Sequence, residues 1–277
     1  MHGLAYRLRP YRTKGINPER MEYHLMTELG EETWKKDLVG ADWEEQEGTL
    51  WFRGPHEKYL FRNLGNTDVF YNNQVIRLLQ NYRSAYMQLA VHHFMDFQKL
   101  QVSKKMDAAE IKRAKVEDVL DMMSENLPEN PIRMDNRDLH YQVGRLYMGI
   151  GNKEKFKAVL SILMKRNDNT VRHRVEYAQS YLELEEFETS LPILKNLYNG
   201  YNSVEAKILA GGRERKNVNT QMWNQYRKHY PDIVSQLVIN YRKLEMPDEA
   251  KDLLTTWLDR NPKDKEAKKL LKELTDS

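Results

Sequence analysis

Residues 137–163, RDLHYQVGRLYMGIGNKEKFKAVLSIL, and residues 171–197, VRHRVEYAQSYLELEEFETSLPILKNL, carry one pattern twice. Gly144, Tyr147, Phe156, Leu160 and Leu163 are echoed thirty-four positions later by Ala178, Tyr181, Ser190, Leu194 and Leu197. The spacing predicts two antiparallel helices per stretch. A small residue lets the helices approach, an aromatic three positions on fills the crevice, and the later positions face back from the second helix. A unit this short cannot bury its apolar face alone, so its neighbours must cover it.

This is the spacing of a tetratricopeptide repeat. The expected fold is therefore all-α, a tetratricopeptide-like helical-hairpin solenoid with an irregular N-terminal segment. Working outward, a degenerate first unit spans about 72–130. Val75, Leu78, Leu79, Tyr82, Tyr86, Leu89, Ala90 and Phe94 mark its overlong first helix, and Val116, Leu120 and Met123 the second. The quoted stretches fall in units at about 138–166, where Gly151-Asn152 is the turn, and 170–198. A last unit, about 232–261, places Val238, Tyr241, Ala250, Leu254 and Trp257 on the same template. Residues 199–230 read as an insertion or a distorted unit, with Gly200, Gly211 and Gly212 arguing for loops. The tail, 263–277, reads as a solvating cap helix carrying Ala267, Leu270, Leu271 and Leu274.

Residues 1–70 show no repeat and are punctuated by glycine and proline, which leaves room for one short helix near Glu19–Leu29. Within them, 28–57 is an acidic insert holding Trp34, Trp43 and Trp51. The insert reads as solvated, its indoles pinned to the helical body, or as a docking patch for a partner. The chain thus divides into 1–70 and a helical repeat domain, 71–277.

The 44 basic and 41 acidic residues nearly cancel to a net charge of +3, which gives no footprint for nucleic acid. With no cysteine, disulfides, thiolate catalysis and cysteine metal sites are excluded. No apolar run approaches the roughly 18 residues of a membrane span, and Met1 to Tyr11 lack the apolar core of a signal peptide. The chain as given is expected neither to cross a membrane nor to direct its own export.

No phosphate loop, metal motif or catalytic triad is evident, so no catalytic residue, metal or cofactor is expected. The adjacent His92 and His93 do not share a helix face, so one is expected packed and one solvated. His173, between Arg172 and Arg174, reads as part of a basic face. Inner helices of such arrays present a concave groove. The positions facing it are Asp138, Tyr141, Arg145 and Met148, then Arg172, Val175, Gln179 and Leu182, then Ser235, Ile239 and Arg242. Tyr141, Arg145, Arg172, Gln179 and Arg242 are the candidate contacts for a protein or peptide partner, against the plain alternative of solvated polar residues.

The N-terminal region carries further text. Gly3-Leu4-Ala5-Tyr6-Arg7-Leu8 is followed by Pro10 and by Glu19-Arg20-Met21. Phe61-Arg62-Asn63-Leu64, Val69-Phe70-Tyr71-Asn72 and Arg77-Leu78-Leu79-Gln80-Asn81-Tyr82-Arg83 then lead into the first helix. Over residues 3–27 and about 59–198 this resembles the soluble C-terminal part of a family of bacterial multi-spanning membrane proteins. These are similar to protein O-mannosyltransferases and are treated as lipid-linked-sugar glycosyltransferases. The acidic insert and the lack of a membrane half depart from the family. The resemblance implies a non-catalytic, extracytoplasmic (periplasmic) domain seated on a membrane-embedded half, presenting or recruiting an acceptor polypeptide. The family's catalytic acidic residue falls outside this sequence. In that setting Leu4, Tyr6 and Leu8 form a strand-like segment leading from the bilayer. The other reading is a free-standing, cytoplasmic repeat adaptor that binds a peptide in its groove.

Overall fold

The computed structural model describes residues 16–26, 43–46, 49–52, 61 and 64–276. The strand-like reading of Leu4 to Leu8 and the docking of the insert's indoles lie outside the described residues and side chains. Two compact units divide the chain, Met1–Val159 and Leu160–Ser277.

The first unit holds α1 (Pro18–Leu25), β1 (Trp43–Gln46), β2 (Thr49–Phe52), α2 (Asn73–Val102), α3 (Met106–Asn126), α4 (Arg137–Gly149) and the start of α5 (Lys153–Met164). The second holds the rest of α5, then α6 (Val171–Glu183), α7 (Phe187–Ala210), α8 (Gly212–Lys216), α9 (Thr220–Lys243), α10 (Pro247–Arg260) and α11 (Lys265–Asp276). The body is all-helical. One correction falls in the acidic insert, where β1 and β2 pair antiparallel with Trp43 opposite Phe52 and Glu44 opposite Trp51. Aromatic residues on both sides of Glu47-Gly48 are the hairpin signal that was missed there.

In the first unit α2 and α3 form a long hairpin whose core is Tyr86, Leu89, Ala90 and Phe97 against Val116, Leu120 and Met123. Asn72 starts α2 by accepting the amide of Val75 at 2.9 Å. α1 packs on α2: Leu25 is buried, and its carbonyl accepts from the Tyr86 hydroxyl at 3.0 Å. The Arg83 side chain is buried on α2, and its guanidinium donates to the carbonyls of Leu127 (2.8 Å) and Ile132. It therefore holds the chain that leaves α3. The close approach of α4 and α5 depends on Gly144, where a Cβ would come within 2.8 Å of the Phe156 ring.

Four hairpins, α2/α3, α4/α5, α6/α7 and α9/α10, turn in the same way. The second residue after the first helix is left-handed: Lys104 (φ 56), Gly151 (φ 85), Glu185 (φ 63) and Glu245 (φ 56). The next amide bonds back to the carbonyl five residues earlier, from Lys105 to Leu100 (3.0 Å), Asn152 to Tyr147 (2.8 Å), Glu186 to Tyr181 (2.9 Å) and Met246 to Tyr241 (2.8 Å). This is a Schellman closure, which satisfies the last carbonyls of each first helix.

In the second unit Val175, Ala178, Leu194, Ile233, Leu237, Val238 and Leu254 form one core, covered by Ala267 of α11 with Leu270, Leu271 and Leu274. In the 199–230 stretch the loop expected at Gly200 is absent, whereas the one expected at Gly211 and Gly212 is present. α7 runs straight through Gly200, and the glycine serves packing instead: a Cβ there would strike the Tyr226 hydroxyl of α9. The break comes at Gly211 and Gly212, both at positive φ. α9 then begins at Thr220, capped by Asn219 accepting from the Met222 amide at 3.0 Å, and not near 232. Pro231 sits inside this helix, exposed, where its missing N–H is tolerated.

Candidate functional site

One face of α9 carries Ser235, Val238, Ile239 and Arg242, three and four positions apart, and so on a single stripe. Facing it are Glu266, Lys269, Leu270 and Glu273 of α11, with Leu254 and Trp257 of α10 between. Together they line an open groove of about 410 Å³. Its floor is apolar: Val234, Val238, Leu254 and Ala267 are buried, while Ile239 stands 43% exposed above them. Arg242 and Lys269 supply positive rim charges; Asp264, Glu266 and Glu273 supply negative ones.

Asp264 fixes one end of the groove. Its carboxylate caps α11 by accepting the Ala267 amide at 3.0 Å and also accepts the Trp257 indole N–H at 2.8 Å. These hydrogen bonds, the backbone one foremost, hold its carboxyl below the usual carboxylate range. Trp257 lies 5.7 Å from the Tyr230 ring, which stacks on Tyr201 at 3.8 Å. Arg260 spans both tyrosines, ion-paired to Glu205 at 2.9 Å and donating to the Tyr230 hydroxyl at 3.1 Å. Burial, with Glu205 beside it, pushes the Tyr201 phenol up to about 12. The wall behind Trp257 is therefore a locked aromatic stack.

Of the residues singled out by repeat spacing, Arg242 lines this groove with Ser235 and Ile239. Arg172 and Gln179, both exposed on α6, do not. Arg172 is ion-paired to Glu176 at 2.7 Å. Val175, expected to face a groove, is instead buried in the second unit's core. Tyr141 and Arg145 lie on α4 in the first unit, both beside Phe156, with the Arg145 guanidinium 5.7 Å from the ring centre.

Three polar arrangements escaped the sequence reading. Arg83 is a buried tie between helix and loop. His173 forms a capping box with Thr170, whose hydroxyl lies 2.9 Å from its Nδ1. His93 is buried with Nε2 2.8 Å from Glu22 of α1 and Nδ1 3.5 Å from Lys112 of α3. Glu22 and His93 lie so far apart in sequence that no local pattern announces the pair. His92, by contrast, is half-exposed and 3.5 Å from Asp96.

Among the described residues, no group of three or more His, Cys, Asp or Glu is placed to hold a metal ion. No described helix is long and apolar enough to cross a membrane. Set against models of known families, curated proteins and solved structures, the chain matches none.

Proposed function

We propose that this chain is a non-catalytic interaction module, a tetratricopeptide-like solenoid that holds a peptide or protein segment. The groove beside α9 carries the reading. An apolar floor with charges of both signs on its rim suits a segment that presents apolar side chains at helical or extended spacing. Arg242, Ser235 and Ile239 occupy the inner-helix positions that repeat spacing assigns to ligand contact. The test is selection of binding peptides from a displayed library, followed by titration against Ile239→Asp and Arg242→Glu. Weakening of about tenfold or more is expected from loss of the apolar contact or reversal of the rim charge. Unchanged affinity in both variants removes the groove from consideration.

The resemblance of residues 3–27 and about 59–198 supports a more specific setting. In it, the module is the extracytoplasmic part of a multi-spanning, lipid-linked-sugar glycosyltransferase-like protein and recruits its acceptor polypeptide. A reading frame that continues upstream into many apolar spans is expected, and so is the absence of sugar transfer by the purified 277 residues. Turnover of a lipid-linked donor by this chain alone would refute the non-catalytic role. A reading frame without such spans leaves the free-standing adaptor.

A further inference from the structure

The near-neutral charge of the whole chain conceals a strongly basic place in the second unit. From Lys207 to Lys228 there are six cations (Lys207, Arg213, Arg215, Lys216, Arg227 and Lys228) and one acid, Glu214, so the remainder of the chain is slightly acidic. These residues lie on the end of α7, on α8 and on the start of α9. α7 and α9 pack against each other where Tyr226 crosses Gly200, which brings the connecting end together. All six cations are exposed, and none has a carboxylate within 4.0 Å among the described residues. In the same unit Arg260 is held by Glu205 and Arg172 by Glu176. Two apolar side chains project among the cations, Leu209 at 80% and Met222 at 41% exposure.

We infer that this end of the second unit docks on an anionic lipid surface. Clusters of four to eight Lys and Arg bind anionic headgroups, and apolar side chains beside them enter the interface. Leu209 and Met222 decide against nucleic acid, whose phosphate backbone offers them no contact. The neighbouring indole, Trp223, already has Arg227 at 6.0 Å and Tyr201 at 5.4 Å, so no bare ring is left as a platform for bases. An acidic peptide's carboxylates likewise offer Leu209 and Met222 no contact, and the adjacent concavity, lined by Arg227 and the Arg260–Glu205 pair, leaves one cation uncompensated among the described residues. This surface is independent of the groove beside α9.

The experiment is co-sedimentation of the full chain with vesicles of phosphatidylcholine alone or with phosphatidylglycerol added. Binding is expected only with the anionic lipid, and it should weaken as salt rises. Each cation contributes about a fivefold gain near such a surface, so Arg213→Gln, Arg215→Gln and Lys216→Gln combined should weaken binding about a hundredfold. Leu209→Ser should weaken it severalfold while leaving the salt dependence in place. Circular dichroism of each variant reports whether the helices persist, and these exposed positions should leave them intact. Equal binding to both vesicle types, binding to neither, or full binding by the triple variant overturns the inference. So does capture of an oligonucleotide or polyglutamate without any vesicle binding.

Discussion

Arg83 shows how much one buried side chain decides. It is 1% exposed, and two backbone carbonyls with no helical partner depend on its guanidinium. Arg83→Met keeps the apolar stem but strands both carbonyls, so unfolding stability should fall by about 2–4 kcal/mol. Arg83→Lys should recover less than half of that, because the shorter lysine does not carry its ammonium out to the Nη2 position that serves both carbonyls and lacks the second nitrogen that binds Gln80. Urea unfolding measures both; a methionine variant within about 0.5 kcal/mol of the parent would show that the tie carries no weight. His93 makes a pH-dependent counterpart. Burial, helped by the charge of Lys112, pushes it down to about 4, although the Glu22 carboxylate pulls the other way. A free imidazole titrates near about 6.5, so the unfolded chain takes up the proton first. Stability from this site is therefore whole above about pH 6.5 and drains away as the pH falls towards about 4, by at most about 3 kcal/mol. Glu22, also lowered, adds a loss in the same direction at still lower pH. His93→Gln should flatten the fall in melting temperature between these limits, and identical profiles for the two proteins would discard the assignment.

At the scale of elements, the repeated turn is the informative feature. Its left-handed residue is glycine once, at Gly151, and a lysine or glutamate three times. A side chain in that conformation costs roughly 1–2 kcal/mol, whereas glycine bears none of it but has more freedom to lose on folding. Glu185→Gly and Glu245→Gly should each stabilise by about 0.5 kcal/mol, and Gly151→Ala should destabilise by about 1 kcal/mol. Thermal melts of the three variants check the opposite signs; destabilisation by all three would mean that the glutamates make contacts worth more than the strain. The same feature explains what could be read in advance. Gly151 announces its turn, but Lys104, Glu185 and Glu245 do not, so those turns had to be placed by the apolar periodicity on either side. The start of α9 was hidden because Pro231 looks like a boundary, and packing against α7 and α10 overrides that local signal. In the groove, Ser235, Ile239 and Arg242 were legible because they follow the inner-helix template. The facing wall was not, because Glu266, Lys269 and Glu273 read as an ordinary charged cap.

For the molecule as a whole, the terminal helix does two things. Ala267, Leu270, Leu271 and Leu274 close the core of the second unit, and the same helix supplies one wall of the groove. A chain ending at Lys263 should lose about 3–5 kcal/mol, since several partly buried leucines leave and Leu254 and Trp257 are uncovered. It should also bind a hydrophobic dye and lose peptide affinity. Retention of both melting temperature and affinity would show that α11 is dispensable. Composition alone could not reveal the local charge imbalance between Lys207 and Lys228, because whole-chain totals average over surface and interior alike. Main-chain atoms alone complete the Schellman closure, so a side chain at its left-handed position adds strain but is not needed to form the turn. Lys104-Lys105, Glu185-Glu186 and Glu245-Met246 already differ in sign and polarity within one chain. Each loop apex can thus be re-coloured by substitution at a cost of about 1 kcal/mol, while the helices beneath keep their register.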